Sequence, residues 1–186
     1  MPFGSLWIPV VVSTLTVFVL SFLAHMVLKH HKLDYRGLSN ETAVAEAIRK
    51  GGPAPGVYMI PHCDDHSQLK DPAFVKKFTD GPVALLTVMR SGPPSMVKSL
   101  VQWFLLCLFI SFTAAYVARH TLSHGSAGLE IMRITGSVAL VGYAFGYFQD
   151  SIWKGIPWAN SLRGIADAVV FALATGLVFR LLWPAA

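Results

Sequence analysis

A helix that crosses a bilayer needs about 20 mostly apolar residues, and the chain offers four stretches of that kind. From Ile8 to Leu28 no residue carries a fixed charge, and His25 is the one side chain there that can take a proton. From Ser99 to Ala118 there is no charge at all. A third run extends from Ile131 to about Ser151, with Arg133 near its start and Asp150 near its end. A fourth extends from Leu162 to Trp183, with Arg163 and Asp167 in its first turns and Arg180 in its last. The pattern predicts one transmembrane helix within residues 1–28 and three within 99–186. The first run reads as a retained helix, not a signal peptide: no basic residue precedes it, it is too long, and His25-Met26-Val27-Leu28-Lys29-His30-His31 stands where a small-residue cleavage site would be. Trp7, Trp103, Trp153, Trp158 and Trp183 fall near span ends or in a short loop, as an interfacial aromatic belt requires.

Residues 29–98, between the first two spans, are too many for a simple loop. Asn40 is placed to cap a helix from Glu41 to Lys50 that Gly51-Gly52 closes, with Val44, Ala47 and Ile48 on one face. Gly56–Ile60 reads as a short strand. Asp71-Pro72 opens a helix through Phe74, Val75 and Phe78 that Gly81 stops. Pro82–Met89 reads as a second, buried-type strand, and Ser91-Gly92-Pro93-Pro94 as a turn. The fold expected is therefore an all-α membrane bundle of four helices, with a small α/β extramembrane cap between helices 1 and 2. With few large apolar residues the cap's core is marginal, so it is expected to lean on the bundle or on a partner. No internal repeat is visible, and the lack of two inverted halves argues against a secondary transporter.

Composition narrows the class without changing it. Of 186 residues, 54% are hydrophobic and only 13% charged, about half the usual charged share of roughly 25%. That excludes a disordered chain, and two cysteines, Cys63 and Cys107, exclude a disulfide scaffold. Charge does set an orientation. Four spans put both termini on one side, and twelve of the 15 Lys and Arg, including Lys29, Lys32, Lys98, Lys154 and Arg163, lie on the other. The positive-inside rule then makes the cap cytoplasmic and the termini periplasmic. The net charge of +5 is mostly this bias. It calls for an anionic lipid surface as counter-charge and for no nucleic acid.

Chemistry is expected at two places. His25, Gln102, Asp150, Arg163 and Asp167 fall within about two turns of the same membrane boundary, and Arg163 and Asp167, four apart, share a helix face. Ionisable groups at that depth tend to face the bundle and pair. Such a ring suits proton handling or ligand binding, or an ion-pair network that only holds the fold. The second place is His62-Cys63-Asp64-Asp65-His66 in the cap. His62, Cys63, Asp65 and His66 are metal-ligand types, but Pro61 precedes them and their spacing matches no closed zinc pattern, so a solvated turn is the plainer reading. A site there would need a second pair, for which His30 and His31 are candidates. A metal ion is the only cofactor these donors suggest. A bis-histidine haem is disfavoured because His120 and His124 lie across the membrane from His25. No nucleotide-binding or serine-hydrolase motif is present. Gly142 and Gly146, with Ala144, form a small-residue stripe that either packs the bundle or serves a homo-oligomer or protein-partner interface. Cys107 reads as inert packing.

Several segments carry a resemblance: Ser21-Phe22-Leu23-Ala24-His25-Met26, Asp34-Tyr35-Arg36, Gly81-Pro82-Val83-Ala84, Ser91-Gly92-Pro93-Pro94-Ser95-Met96, Gln149-Asp150-Ser151-Ile152-Trp153 and Leu182-Trp183-Pro184. In these the chain resembles a group of small bacterial four-span membrane proteins of unknown function. The resemblance implies a bacterial inner-membrane location and brings no activity or catalytic residue. Three functions stay open: a non-catalytic accessory or scaffold subunit of a larger complex, a metal- or redox-active membrane protein, and a small proton-coupled permease using His25, Asp150 and Asp167.

Overall fold

The structure, a computed structural model, describes residues 3–184. It is 72% helical, with six helices and one two-stranded sheet. The chain forms two units. One holds the chain up to Tyr35 and again from Ser95 onward; the other is Arg36–Pro94.

The first unit is a helical bundle. Helix α1 (Trp7–Phe22) follows a 3-10 turn at Phe3–Leu6 and continues into a π-helical turn at Leu23–Leu28. The other three bundle helices are α4 (Met96–Thr121), α5 (Gly128–Lys154) and α6 (Trp158–Leu181). All four stretches, Gly4–Leu28 included, are long and apolar enough to cross a membrane. They close a ring in which α1 packs on α4, α4 on α5, α5 on α6 and α6 on α1. Large apolar side chains crowd the outside: Ile8, Val19, Phe109, Phe145 and Leu173 are all exposed. This is how a bundle facing lipid is built, with apolar side chains outside and the backbone bonded along each helix.

The inside is small and partly polar. Val17, Cys107, Ala139, Ala168 and Ala172 form one part of the core, and Leu6, Val10, Ala114 and Phe179 another. Lipid gives helices little hydrophobic reason to associate, so close packing and interhelical hydrogen bonds must do it. The Ser13 hydroxyl donates to Ser111 Oγ at 3.0 Å, Ser151 to Ser161 at 2.7 Å, and the Trp103 indole N–H to Ser21 Oγ at 2.8 Å. These tie α1 to α4 and α5 to α6. The backbones of α5 and α6 approach closely, where a Cβ on Gly176 would lie 2.8 Å from the Met132 carbonyl oxygen. The Gly142 and Gly146 stripe divides: Gly142 faces Ile110 of α4, whose side chain a Cβ would meet at 3.0 Å, whereas Gly146 has nothing within 4 Å.

The second unit holds α2 (Glu41–Gly51), β1 (Gly56–Ile60), α3 (Pro72–Asp80) and β2 (Ala84–Val88). The strands pair antiparallel, with Gly56 opposite Val88 and Ile60 opposite Ala84. Asp71 caps α3 by accepting from the Ala73 N–H at 2.9 Å, and Pro72 takes the first turn, as the sequence predicts. Two expectations shift. Asn40 precedes α2 but its side chain makes no cap hydrogen bond, and α2 runs to Gly51 before Gly52 closes it at φ +58°. The second strand keeps only Ala84–Val88 of Pro82–Met89, because its partner β1 is five residues long and Gly56 and Ile60 stand opposite its two ends.

Candidate functional site

Where the first span ends, the backbone departs from α-helix. The π turn at Leu23–Leu28 carries His25, and Lys29 then takes a left-handed conformation at φ 54°. A left-handed residue breaks a helix cleanly, and a non-glycine there is uncommon. The chain reverses into a 3-10 turn at His30–Leu33, held by the Lys32 N–H donating to the Lys29 carbonyl at 3.0 Å. This reversal brings His30, His31 and Asp34 against α6, and the His31 ring stacks on His25 with centroids 4.3 Å apart and planes 9° from parallel.

Asp167 on α6 is the centre of the cluster. Its two carboxylate oxygens accept from His30 Nε2 at 3.0 Å and His31 Nε2 at 2.8 Å. His31 Nδ1 faces Asp34 Oδ2 at 2.5 Å, so this imidazole lies between two carboxylates. Asp34 is held from the other side: Arg163 Nε donates to Oδ1 at 2.7 Å, and Asn160 Nδ2 donates to the Asp34 backbone carbonyl at 3.0 Å. Asn160 also accepts from Arg163 Nη2 at 2.8 Å. His25 Nδ1 lies 3.0 Å from the Ser21 carbonyl. A carbonyl can only accept, so Nδ1 carries the proton and Nε2 keeps a free lone pair.

The electrostatics follow from these contacts. Burial works against a charged His31, but its hydrogen bonds to Asp167 and Asp34 outweigh that and hold its pKa above the ordinary histidine value. Burial likewise works against a charged Asp34, yet hydrogen bonds from His31 and Arg163 hold its carboxyl below the usual range. His31 and Asp167 are mostly buried, with side chains 15% and 13% exposed. Within the cluster, one donor atom from each of His25, His31 and Asp167 lies within 4.8 Å of the others, the only such group of three among the described residues.

The ring expected from sequence is thus partly gathered. His25 and Asp167 meet through His31. Arg163 does not pair with Asp167, one turn along its own helix, but with Asp34. Asp150 pairs with Lys154 at 2.6 Å on the surface of α5, and Gln102 is exposed on α4. The cap motif is not gathered. The His62 and Asp64 side chains pair at 3.1 Å in the open, 70% and 79% exposed. Cys63 Sγ donates to the Asp65 carbonyl at 3.2 Å. Asp65 caps the 3-10 turn His66–Lys70 by accepting from the Ser67 N–H at 3.0 Å, the bond that chiefly holds its carboxyl below the usual range. This is the solvated turn with a capping aspartate. His30 and His31, candidate partners for that motif, instead face Asp167. Asp34 joined no expected site, although the run His30-His31-Lys32-Leu33-Asp34 puts His31 and Asp34 at i and i+3.

Compared with known proteins, the chain matches no family model, no curated protein and no solved structure.

Proposed function

We propose that this chain is a multi-pass membrane protein that binds a divalent first-row transition-metal ion at one mouth of its helical bundle, through His25, His31 and Asp167. The observation that carries this reading is the state of the nitrogens remote from the shared centre. His25 Nδ1 is bonded to the Ser21 carbonyl and His31 Nδ1 to Asp34, which leaves His25 Nε2 for a ligand and turns His31 Nε2 onto Asp167, the third member of the group. Metal-binding histidines usually have their other ring nitrogen tied to a carbonyl or carboxylate in this way. Two imidazoles and one carboxylate suit zinc, iron, cobalt, nickel or copper, and leave positions open on the ion. The near-parallel stack means that one ring must tilt for both nitrogens to reach one ion. His31 must also give up the proton it shares with Asp167, since metal ligands bind deprotonated.

The test is metal analysis of the full chain purified in detergent, followed by titration with Co²⁺, whose visible spectrum reports the ligand field. About one ion per chain is expected, lost in His31→Ala and in Asp167→Asn, with melting curves confirming that both variants remain folded. A wild-type chain that neither carries metal nor gives a Co²⁺ spectrum would leave the cluster as a network that only holds the fold.

We further propose a bacterial inner membrane, as the resemblance implies, with the cap in the cytoplasm. The cytoplasmic side of the cap is supported by the twelve Lys and Arg that the four-span topology puts on it. A second role, as accessory subunit or homo-oligomer, draws on the open half of the glycine stripe at Gly146, where a facing helix would find space. Co-purification from native membranes would show such a partner, and a lone monodisperse chain would count against it.

A further inference from the structure

A cavity of about 410 Å³ lies beside the histidine cluster, within the size range of small-molecule sites. Its inner wall is Ser21, Trp103 and Phe171, with Phe171 and Ser21 buried. Its outer rim is Phe22 of α1, Met26 of the π turn, and Met96 and Leu100 of α4, all exposed. On helices that face lipid, this rim makes a lateral mouth toward the bilayer, so a ligand that dissolves in the membrane reaches it without crossing water. His25 and Asp167 also line the cavity and give it a polar end.

That end carries two acceptors. His25 Nδ1–H is spent on the Ser21 carbonyl, so Nε2 can only accept. Asp167 is a carboxylate and can only accept. The Trp103 indole N–H is already given to Ser21 Oγ, which leaves the Tyr147 hydroxyl as a donor on the wall. A ligand that answers all three groups must both donate and accept, as a hydroxyl does. The aromatic side chains on the wall favour a flat ring, through offset or edge-on contacts. We infer that the cavity binds a membrane-soluble phenol, a ring with a free hydroxyl and an apolar tail, whose O–H donates to His25 Nε2 or Asp167 while the tail lies toward the mouth. A lipid acyl chain would fill the apolar wall but give these two acceptors nothing, and a quinone could take the Tyr147 hydroxyl but would still leave His25 and Asp167 without a donor.

This inference stands apart from the metal reading, because hydroxyl recognition needs only the metal-free cluster. The experiment uses the full chain, stripped of metal with chelator and reconstituted in phosphatidylcholine nanodiscs, titrated calorimetrically with 4-octylphenol and with 4-octylanisole, its methyl ether. Saturable phenol binding is expected, with the ether weaker by about tenfold or more, the scale of one hydrogen bond to a charged or buried acceptor. His25→Phe should weaken the phenol while leaving the ether unchanged. Leu100→Trp, or Met96→Trp if the first variant melts early, should fill the mouth and abolish both while the protein melts at the wild-type temperature. Equal affinity for phenol and ether would mean an acyl-chain groove and overturn the inference. So would the absence of saturable binding, or unchanged binding in both mouth-filling variants.

Discussion

His31 is the residue on which the cluster turns, because both its ring nitrogens are engaged and because Asp34 fixes one of them. If Asp34 orients a metal ligand, Asp34→Asn should weaken Zn²⁺ binding by about 10- to 100-fold, the usual cost of losing such a partner. Competition against a chromophoric chelator would measure it. Asp150→Asn and Gln102→Ala should leave that affinity unchanged, since Asp150 is tied to Lys154 and Gln102 is exposed. A drop in either would mean that the wider ring, and not the His31 cluster, holds the ion. At this scale the sequence was half legible. His25 and Asp167 stand out as ionisable residues in apolar runs, and an intramembrane charge asks for a partner. The partner of Arg163 does not stand out. Helical spacing points to Asp167, four residues on, but Asp34 reaches Arg163 only because the chain doubles back at Lys29. Nothing in the spacing of residues announces a left-handed lysine.

Among the elements, the α5–α6 contact is the most extensive in the bundle and the least forgiving. Gly176→Ala would drive a methyl to 2.8 Å from the Met132 carbonyl, and backbone cannot step aside as a side chain can. A loss of about 1–3 kcal/mol is expected, the range for overpacking a well-filled interior. Gly146→Ala, with nothing within 4 Å, should be neutral in an isolated chain. Thermal melts in detergent compare the two, and a Gly176→Ala protein as stable as wild type would show that the helices can separate there. In the cap, Asp71→Ala should cost α3 about 1 kcal/mol, seen as faster amide exchange in its first turn. The four long helices and both strands were readable from runs of apolar residues, and α3 from its Asp-Pro start. The glycines that matter were not. Gly142 and Gly146 drew attention by their spacing within one helix, whereas Gly164 and Gly176 matter for what faces them: a Cβ on Gly164 would fall 2.4 Å from the Tyr147 ring. One sequence read along one helix cannot show which neighbour comes close.

For the whole molecule, what matters is which compartment receives each end. Four crossings with most basic residues on the cap side predict that a reporter beside Lys70 and a reporter at the N-terminus will respond in opposite compartments. Paired fusions to an alkaline phosphatase and a green fluorescent protein would read this directly. The same compartment for both would remove the first span, and with it the shared depth of His25 and Asp167. The cap adds a separate vulnerability. Its sheet has two strands, so each carries one edge unpaired by the other, and Val57, Met59 and Leu85 are exposed on it. Open edges of this kind invite another strand.

The π turn at Leu23–Leu28 amounts to one residue too many for regular winding. Deleting Val27 would let the helix wind as α to its end with little turn of what lies beyond, because the wider π winding already absorbs that residue. His31 and Asp34 would keep facing α6 while the apolar span stayed nearly as long. A shortened chain that still took up Co²⁺ would show that the left-handed step at Lys29 aims the site, and one that lost it would trace the site to that single surplus residue.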